Sequence, residues 1–285
     1  MRLSRINNIL RAIYGLMPYY MADKCLFMIY SLKSIGLKAI LSRNKSIKDT
    51  KKGCAYLIAT GPSLASEDLS NIFGKDCYTV SNAILHNNIK QLNPIAHFLA
   101  AYHEPISLKN FNDWLLKIDQ LLPEMTVIVT DIKNKEIIED LNVFNSREVY
   151  YLLTYRSSTL DSVDITGPIP APWTVPQLAL PYLLYSGYEE INLIGVDHNA
   201  LKNYKDGIKH FFDIKKDQRD NASSSSVWNN GDIIKHLTNE LLLFKLYKQY
   251  DSFAKGMGVR LTVSNSESWL DFLEHKSCVI DRHQN

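Results

Sequence analysis

The chain has 285 residues, of which 46% are hydrophobic and 22% are charged, and its formal net charge is +2 at pH 7. This composition predicts a well-buried core and excludes an intrinsically disordered chain, and the length fits one large domain or one domain with an appendage. The four cysteines, Cys25, Cys54, Cys77 and Cys278, have neither metal-type spacing nor the density of a secreted disulfide scaffold, so we expect no zinc site and a cytoplasmic protein.

The charges differ between the N-terminal segment and the rest of the chain. Residues 1–52 carry 11 Lys or Arg and 2 Asp or Glu, whereas the later residues carry 21 and 28. This asymmetry predicts an anionic partner, and the apolar content of the segment favours a membrane surface over nucleic acid. The apolar stretches 13–21 and 26–32 are too short to span a bilayer.

We therefore expect residues 1–52 to form a basic amphipathic helical arm that lies on the inner membrane surface. The alternative is an arm that packs on the catalytic domain or on a second subunit of a homo-oligomer. A polar, lysine-rich connector at 45–53 predicts a domain boundary near residue 52.

After this connector, strand-like and helix-like segments alternate. The predicted strands are 55–59, 77–81, 97–101, 126–130, 149–153, 191–195 and 260–263. The predicted helices are 63–73, 108–121, 175–186 and 233–255. This alternation predicts an α/β fold: one Rossmann-like domain over 53–285, with a mostly parallel sheet covered on both faces.

The segment Tyr56-Leu-Ile-Ala-Thr-Gly-Pro-Ser-Leu64 is an apolar run that stops at a single glycine. We expect a buried strand, then a turn at Gly61 and Pro62, then a helix capped by Ser63, whose hydroxyl accepts from a backbone N–H. Other early amides of this helix would stay available to a ligand. The three-glycine dinucleotide fingerprint and the phosphate-binding loop with its lysine are absent, so neither NAD nor ATP binding follows.

A second apolar strand ends by presenting Asp197 and His198. Polar residues at the carboxyl end of such a strand lie where open α/β sheets bind ligands. Asp197 is predicted to orient an imidazole or to bind a sugar hydroxyl, and His198 to move a proton. The alternative for Asp197 is that it only begins the following turn.

The alternation of strand-like and helix-like segments is then interrupted by a polar insertion over 201–230, which includes four consecutive serines. A long insertion of this kind predicts an active-site lid or a disordered loop. Within it, His210 precedes Phe211 and Phe212, which indicates either a functional imidazole shielded from water or ordinary packing. Further polar groups follow other predicted strands or precede a helix: Ser81 and Asn82, Tyr102 to Glu104, and Thr174. Together they predict a cleft that binds a polyhydroxyl ligand.

Three stretches together resemble the bacterial sialyltransferases that decorate lipo-oligosaccharides. They are Gly61-Pro-Ser-Leu64, Ser81-Asn82, and Gly187-Tyr188 with Ile194-Gly-Val-Asp197; Ser264-Asn-Ser-Glu-Ser-Trp269 extends the match, which covers residues 55–274. The layout is also similar to the wider 6-hydroxymethylpterin pyrophosphokinase-like superfamily, which has an Asp-His pair like Asp197-His198 and a later His-Phe-aromatic like His210-Phe-Phe212. The resemblance implies a GT-A-like domain, a CMP-activated sugar donor, no obligatory metal and a flexible lid.

The same resemblance implies site residues. Positions that contact the nucleotide sugar correspond to Gly61, Pro62, Ser63 and Asn82, with Thr174 close to another. Two tyrosines that hold the departing phosphate in sialyltransferases correspond to Asn199 and His210. The general-base histidine of that family precedes the last long helix, where this chain reads Ser226-Val-Trp-Asn-Asn-Gly-Asp232. The role of base would then pass to His198, His210, His103 or Asp232.

These features predict a metal-independent glycosyltransferase that moves a sugar from a nucleotide donor to a lipid-linked surface glycan such as O-antigen, capsule or lipo-oligosaccharide. The expected donor is CMP-linked sialic acid or a Kdo-like acid, a co-substrate rather than a cofactor. We assign His210 to the phosphate, Asp197 with His198 to the base or to acceptor orientation, and His103 with Asn199 to the donor site. The alternatives are a pterin pyrophosphokinase-like phosphotransferase and a non-catalytic scaffold of a polysaccharide assembly complex. We expect no nucleic-acid partner and peripheral attachment to the inner membrane.

Overall fold

The computed structural model describes residues 19–104, 106–199, 201–202, 209–219 and 233–277. Its centre is one sheet of nine strands, in the order β6-β5-β4-β3-β2-β1-β7-β8-β9. The strands are β1 (Cys54–Ile58), β2 (Cys77–Val80), β3 (Ala96–Leu99), β4 (Val127–Asp131), β5 (Val149–Tyr155), β6 (Pro168–Pro170), β7 (Glu190–Ile194), β8 (Arg260–Val263) and β9 (Glu274–His275). Every pairing between these neighbours is parallel, so the predicted α/β fold with a parallel sheet is confirmed.

The strand order reverses next to β1. From β1 the chain moves outward through β2 to β6, then returns to place β7 on the other side of β1. In register, Ala55 pairs with Ile191 and Ile58 with Ile194. The carboxyl ends of β1 and β7 therefore flank the topological switch point, where open α/β sheets bind their ligands.

Helices cover both faces of the sheet. They are α1 (Tyr19–Gly36), α2 (Lys38–Leu41), α3 (Ile89–Leu92), α4 (Leu108–Leu121), α5 (Lys135–Leu141), α6 (Val175–Ser186) and α7 (Ile233–Gly256). In one core cluster, side chains of α6 and α7 pack with those of the central strands. A separate cluster on α4 and α5 buries Phe111, Trp114 and Ile118, whose helical spacing forms one apolar face.

Several sequence predictions need correction. The predicted helix over 63–73 is wrong, because the chain forms two short 3₁₀ segments, Pro62–Ala65 and Leu69–Ile72. The carboxylate of Asp68 accepts from the backbone N–H of Ser70 at 2.9 Å and starts the second segment separately. The elements β6, β9, α3 and α5 were not predicted, whereas the other predicted strands and helices agree with the structure within two residues.

The described part of the N-terminal arm packs on the domain. Ala22 and Leu26 of α1 are buried, and the rings of Phe27 and Tyr30 lie 6.0 and 5.7 Å from that of Tyr155 at the end of β5. Among the described helices, none alone is long and apolar enough to cross a membrane; Met21–Gly36 and Lys38–Ile47 meet that criterion only as a pair bent by 84°. The predicted arm residues 1–18 lie outside the described part of the chain.

Candidate active site

A cavity of about 700 Å³ opens at the carboxyl ends of the strands. It extends along the sheet from the residues after β7 to those after β6. Its lining includes 59–62 after β1, 81 after β2, 100–103 after β3, 131 at the end of β4, 154 in β5, 171–174 after β6 and 195–199 after β7. Two further parts come from the described residues of the polar insertion and from α7.

The turn after β1 fits closely against the turn after β7. The N–H of Gly61 donates to the carbonyl oxygen of Gly195 at 2.7 Å. A Cβ atom at Gly61 would lie 2.5 Å from that oxygen and 2.5 Å from Oδ2 of Asp197. Since real Cβ atoms do not approach oxygen so closely, only glycine fits at this position.

Asp197 holds this turn in place. Its buried carboxylate accepts from the backbone N–H of Ser63 at 2.9 Å, from the Ser63 hydroxyl at 2.5 Å and from the Asn265 amide at 2.8 Å. The expected role of Ser63 as a helix cap is wrong, because the 3₁₀ segment Pro62–Ala65 begins after Gly61 with no side-chain cap bond. The expectation that other early amides stay available to a ligand is also wrong, since the N–H groups of Gly61, Ser63 and Leu64 all donate within the protein. With both carboxylate oxygens engaged, Asp197 is suited to positioning rather than to proton transfer.

Two non-glycine residues at the cavity adopt the left-handed backbone region. Ser81 follows β2 with φ of 49°, and His198 lies after β7 with φ of 47°. Such conformations are strained by roughly 1–3 kcal/mol and cluster at functional sites. His198 is half-buried, and burial lowers its pKa to about 4, so its imidazole is neutral near pH 7.

His198 is linked to the opposite wall through α7. Its Nε2 lies 3.0 Å from the hydroxyl of Tyr247, and that hydroxyl lies 3.4 Å from Oγ1 of Thr174. Phe244, one turn earlier on α7, contacts the imidazole edge-on, with 6.4 Å between ring centroids. The sequence-predicted residues His198 and Thr174 are thus brought together by Tyr247, which the sequence did not indicate.

His210 faces the cavity from the polar insertion. Its Nδ1 lies 3.3 Å from the carbonyl oxygen of Thr60, and its ring stacks on Phe212 with 5.0 Å between centroids. A carbonyl oxygen can only accept, so this contact assigns the proton to Nδ1 and leaves a lone pair at Nε2. Burial lowers the pKa of His210, which favours the neutral form of the ring.

Asn82 lies behind the cavity wall rather than in it. It is 2% exposed, and its Oδ1 accepts from Nε1 of Trp114 at 2.7 Å. Arg219 lies over the Trp114 ring at 4.5 Å and pairs with Asp217 at 2.8 Å. Burial alone would raise the pKa of Asp217, but the hydrogen bonds and charge of Arg219 outweigh it and lower that pKa. Asn82 therefore supports the wall through Trp114 and Arg219.

Most of the predicted site residues reach the cavity. The predicted residues that line it are Gly61, Pro62, His103, Thr174, Asp197, His198, Asn199 and His210, whereas Ser63 and Asn82 do not. His103 is exposed, with Nδ1 3.0 Å from the carbonyl oxygen of Glu104. The alternative base Asp232 and the segment 226–232 lie outside the described residues, as does most of the predicted lid at 201–230.

Several lining residues were not predicted. Four are cations, Lys133, Lys202, Lys209 and Arg219, and they share the lining with the carboxylates of Asp131, Asp197, Asp217 and Glu240. The carboxylate of Asp131 accepts from the Thr154 hydroxyl and from the N–H of Lys133. Glu240 enters from α7; its Oε2 is buried with no hydrogen-bond partner in the described part of the chain, and burial raises its pKa. A signal for Glu240 exists in the sequence, since it shares a helical face with Leu243, Phe244 and Tyr247.

No group of three or more His, Cys, Asp or Glu side chains in the described ranges is placed to hold a metal ion. Three titratable groups of the cavity contact other protein groups: His210 the carbonyl oxygen of Thr60, His198 the hydroxyl of Tyr247, and Asp217 the guanidinium of Arg219.

Fold and cavity together define an open, all-parallel α/β protein with a ligand cleft at its switch point. Among solved structures, the chain is similar to the sialyltransferase CstII from Campylobacter jejuni in complex with the substrate analogue CMP-3FNeuAc. The identity is 17% over 79% of this chain and 86% of that one, with a TM-score of 0.47. The same enzyme in complex with cytidine-5′-monophosphate gives 14% identity, coverage of 81% and 87%, and a TM-score of 0.47.

A Cst-II variant in complex with CMP is similar to the same degree, with 15% identity, coverage of 78% and 86%, and a TM-score of 0.47. These solved structures belong to the class of enzyme that the sequence resembles. No family model and no curated protein matches the chain. The roles of individual residues are therefore argued from this chain's own geometry.

Proposed function

We propose that the chain is a glycosyltransferase that takes its sugar from a nucleotide donor. The observation that carries this proposal is the cleft at the switch point, where a closely fitted glycine turn, four cations and two neutral imidazoles share one cavity. Its volume of about 700 Å³ suits a ligand of nucleotide-sugar size. Transfer of a sugar from a nucleotide needs groups that bind phosphate and one group that accepts a proton from the acceptor hydroxyl.

The phosphate of the donor is proposed to lie beside the turn at Gly61. This turn lies at the switch point of the sheet, where open α/β folds bind ligands, and Lys202 and Lys209 bring positive charge to the same cavity. Asp197 supports this turn through Ser63. A CMP-linked sialic acid or Kdo-like acid is the proposed donor because of the motif resemblance at Gly61-Pro-Ser-Leu64 and Ser81-Asn82.

The proton acceptor is proposed to be His210. Sequence reasoning assigned this residue to the phosphate, but a neutral imidazole that donates from Nδ1 to Thr60 presents a lone pair at Nε2. A lone pair accepts a proton and would repel a phosphate oxygen, so the geometry favours the role of general base. His198, held by Tyr247, is proposed to orient the acceptor. The reaction is proposed to need no metal.

The acceptor is proposed to be a lipid-linked surface glycan, met at the cytoplasmic side of the inner membrane. Residues 1–52 would serve as the membrane-contacting arm, and 201–230 as a lid over the donor. The basic excess of residues 1–52 supports the first assignment. The position of His210 in the wall of the cavity supports the second. Assembly into a homo-oligomer stays a prediction.

A nucleotide-binding panel tests the class of reaction. The full chain is heated with CMP, UDP, GDP or ATP plus Mg²⁺, and the midpoint of unfolding is recorded. A ligand at 100 times its dissociation constant stabilises the folded state by about 2.7 kcal/mol, which a thermal scan resolves. We expect the largest shift with CMP. A shift with ATP plus Mg²⁺ alone supports a pyrophosphokinase-like activity instead, and no shift with any nucleotide supports a non-catalytic scaffold.

Two substitutions of His210 then test the proton acceptor. In His210→Asn the amide nitrogen replaces Nδ1 and keeps the contact with Thr60, whereas in His210→Gln it replaces Nε2. Both lack a base, so release of CMP from a CMP-linked sugar in the presence of acceptor and EDTA is expected to fall by about 10²–10⁴-fold. Because burial lowers the pKa of His210, wild-type activity should decline only below the ordinary histidine range. Wild-type turnover in His210→Asn would exclude this role.

A further inference from the structure

The side of α1 that faces away from the domain is apolar and exposed. Met21, Met28, Ile29, Leu32 and Ile35, here called the outer face of α1, have between 41% and 68% of their surface accessible. Four of them recur at intervals of seven, four and three residues, which aligns them along one side of the helix. This stripe is a surface with no partner among the described residues.

Charge borders the outer face on both sides. At 100° per residue, Lys24 lies about 60° to one side of Met21, and Lys33 about 120° to the other. Both lysines are exposed; the ammonium group of Lys24 pairs with Asp161 at 3.4 Å, and that of Lys33 lies 5.5 Å from the centroid of the Tyr30 ring. Asp23 is the single acidic residue of α1; it is buried on the inner side and accepts from the N–H and hydroxyl of Ser158. Among the residues of α1, the outer face therefore has basic but no acidic neighbours.

The inner side of α1 borders one end of the cavity. Phe27 and Tyr30 pack on Tyr155, whose chain neighbour Thr154 lines the cavity. Burial raises the pKa of Tyr30, and the nearby carboxylate of Asp131, a lining residue, raises it further. The helix thus lies beside the β4–β6 end of the cavity, several strands away from the glycine turn at β1 and β7.

We propose that the outer face of α1 binds an anionic lipid surface and so places the β4–β6 end of the cavity next to that surface. The part that concerns the acceptor rests on the proposed function, because a lipid-linked glycan would then enter the cavity from the side opposite the donor phosphate. Exposed methionine, isoleucine and leucine side chains insert between lipid headgroups, while flanking lysines meet anionic headgroups.

Charge favours lipid over a second copy of the chain. Residues 1–52 carry 11 Lys or Arg and 2 Asp or Glu, so two copies that paired through this segment would bring like charges together, which is unfavourable. The preceding residues 1–18 contain three arginines and no acidic residue, so their sequence also complements an anionic surface.

Vesicle sedimentation of the full chain tests the proposal. The lipid is phosphatidylcholine alone or with about one third phosphatidylglycerol. Wild type is expected to sediment with the anionic vesicles and far less with the neutral ones. The double variant Met28→Glu, Leu32→Glu should lose more than about tenfold of its partition coefficient, since two half-exposed apolar side chains no longer insert and acidic ones are repelled. Met125→Glu, which changes an 87% exposed side chain away from α1, should bind like wild type.

Two further measurements separate the outcomes. Light scattering without lipid reports the oligomeric state, and release of CMP in solution reports the proposed function. We expect the double variant to keep the oligomeric state and the solution activity of wild type. The proposal that the outer face binds lipid is refuted if the wild type does not bind anionic vesicles, or if the double variant binds them equally well. A wild-type dimer that the double variant converts to monomer would assign the outer face to a second copy instead. Absence of CMP release from every variant, with vesicle binding intact, would refute the proposed function alone.

Discussion

Replacing Gly61 by alanine would drive a methyl group into the turn after β7. The added Cβ would meet the Gly195 carbonyl oxygen and Oδ2 of Asp197 at 2.5 Å, and Cγ of Asp197 at 2.7 Å. Ordinary contact requires about 3.5 Å, so the two turns must separate by roughly 1 Å. The Gly195 oxygen cannot retreat easily, because it accepts from the N–H of residue 61 at 2.7 Å and belongs to the end of β7.

The destabilisation combines two effects. Overpacking of a closely fitted site costs about 1–3 kcal/mol. Displacement of Asp197 also weakens its bonds to Ser63 and Asn265, and hydrogen bonds to a charged group contribute about 1.5–3 kcal/mol each. We expect a total loss of about 3 kcal/mol in the free energy of unfolding, equivalent to a decrease of roughly 6–9 °C in Tm. Binding of the nucleotide should also weaken, because the turn is the proposed phosphate site.

Thermal and urea unfolding, with and without CMP, measure both effects. Gly256→Ala is the matched control, since a Cβ there meets nothing within 4 Å and the residue ends α7. This control should unfold like wild type or be more stable by up to about 1 kcal/mol. If Gly61→Ala unfolded at the temperature of Gly256→Ala and showed the same CMP shift, the close fit of the two turns would not be a requirement of the site.

Three other predictions concern buried or half-buried groups. Burial lowers the pKa of His97 to about 3, so the unfolded state binds more protons between pH 6.5 and 3 and stability falls as the pH drops through that range. His97→Gln should remove up to about 4–5 kcal/mol of this pH dependence in urea titrations, and parallel curves would contradict it. Arg147, with a side chain 3% exposed, donates to the Asp119 carboxylate and to the carbonyl of Leu122. Arg147→Ala should destabilise by about 3–5 kcal/mol and Arg147→Lys by less, and equal urea midpoints would exclude this role. Glu240→Gln should raise Tm, because burial disfavours the charged carboxylate and raises its pKa, and an unchanged Tm would show that burial of this carboxylate does not lower stability.

The strands that could be predicted from the sequence are those made of continuous apolar residues. The apolar runs at 77–81 and 191–195 became strands β2 and β7, whose side chains are all buried, as expected in a parallel sheet covered on both faces. Pro168–Pro170 and Glu274–His275 carry no such signal, since the first has two prolines in three residues and the second is an exposed polar pair. These two short strands form because a neighbouring strand offers hydrogen-bond partners, and their own composition does not favour a strand.

The sequence predicts those site residues that directly follow a strand, because the carboxyl ends of parallel strands lie at one edge of the sheet. Polar residues after apolar strands, such as His103 and Asp197, must meet at one edge of a parallel sheet, and they do line the cavity. Sequence does not reveal which distant segments close that edge. Arg219 is placed at the cavity by its contact with the Trp114 ring. The Nε1–H of the same ring donates to the amide oxygen of Asn82 and keeps Asn82 out of the cavity. Such contacts between residues far apart in sequence depend on tertiary packing and leave no local pattern.

The packing of α1 on β5 and β6 has a consequence for protein production. The strand β6 forms one border of the sheet, and exposed borders pair with other chains and aggregate unless a helix or a proline protects them. A shortened chain that begins after residue 52 would lose Ala22 and Leu26 from this interface and uncover Tyr155. We therefore expect truncation to yield inclusion bodies. Retaining the helix and making its outer face polar is the better route to a well-behaved sample for crystallisation.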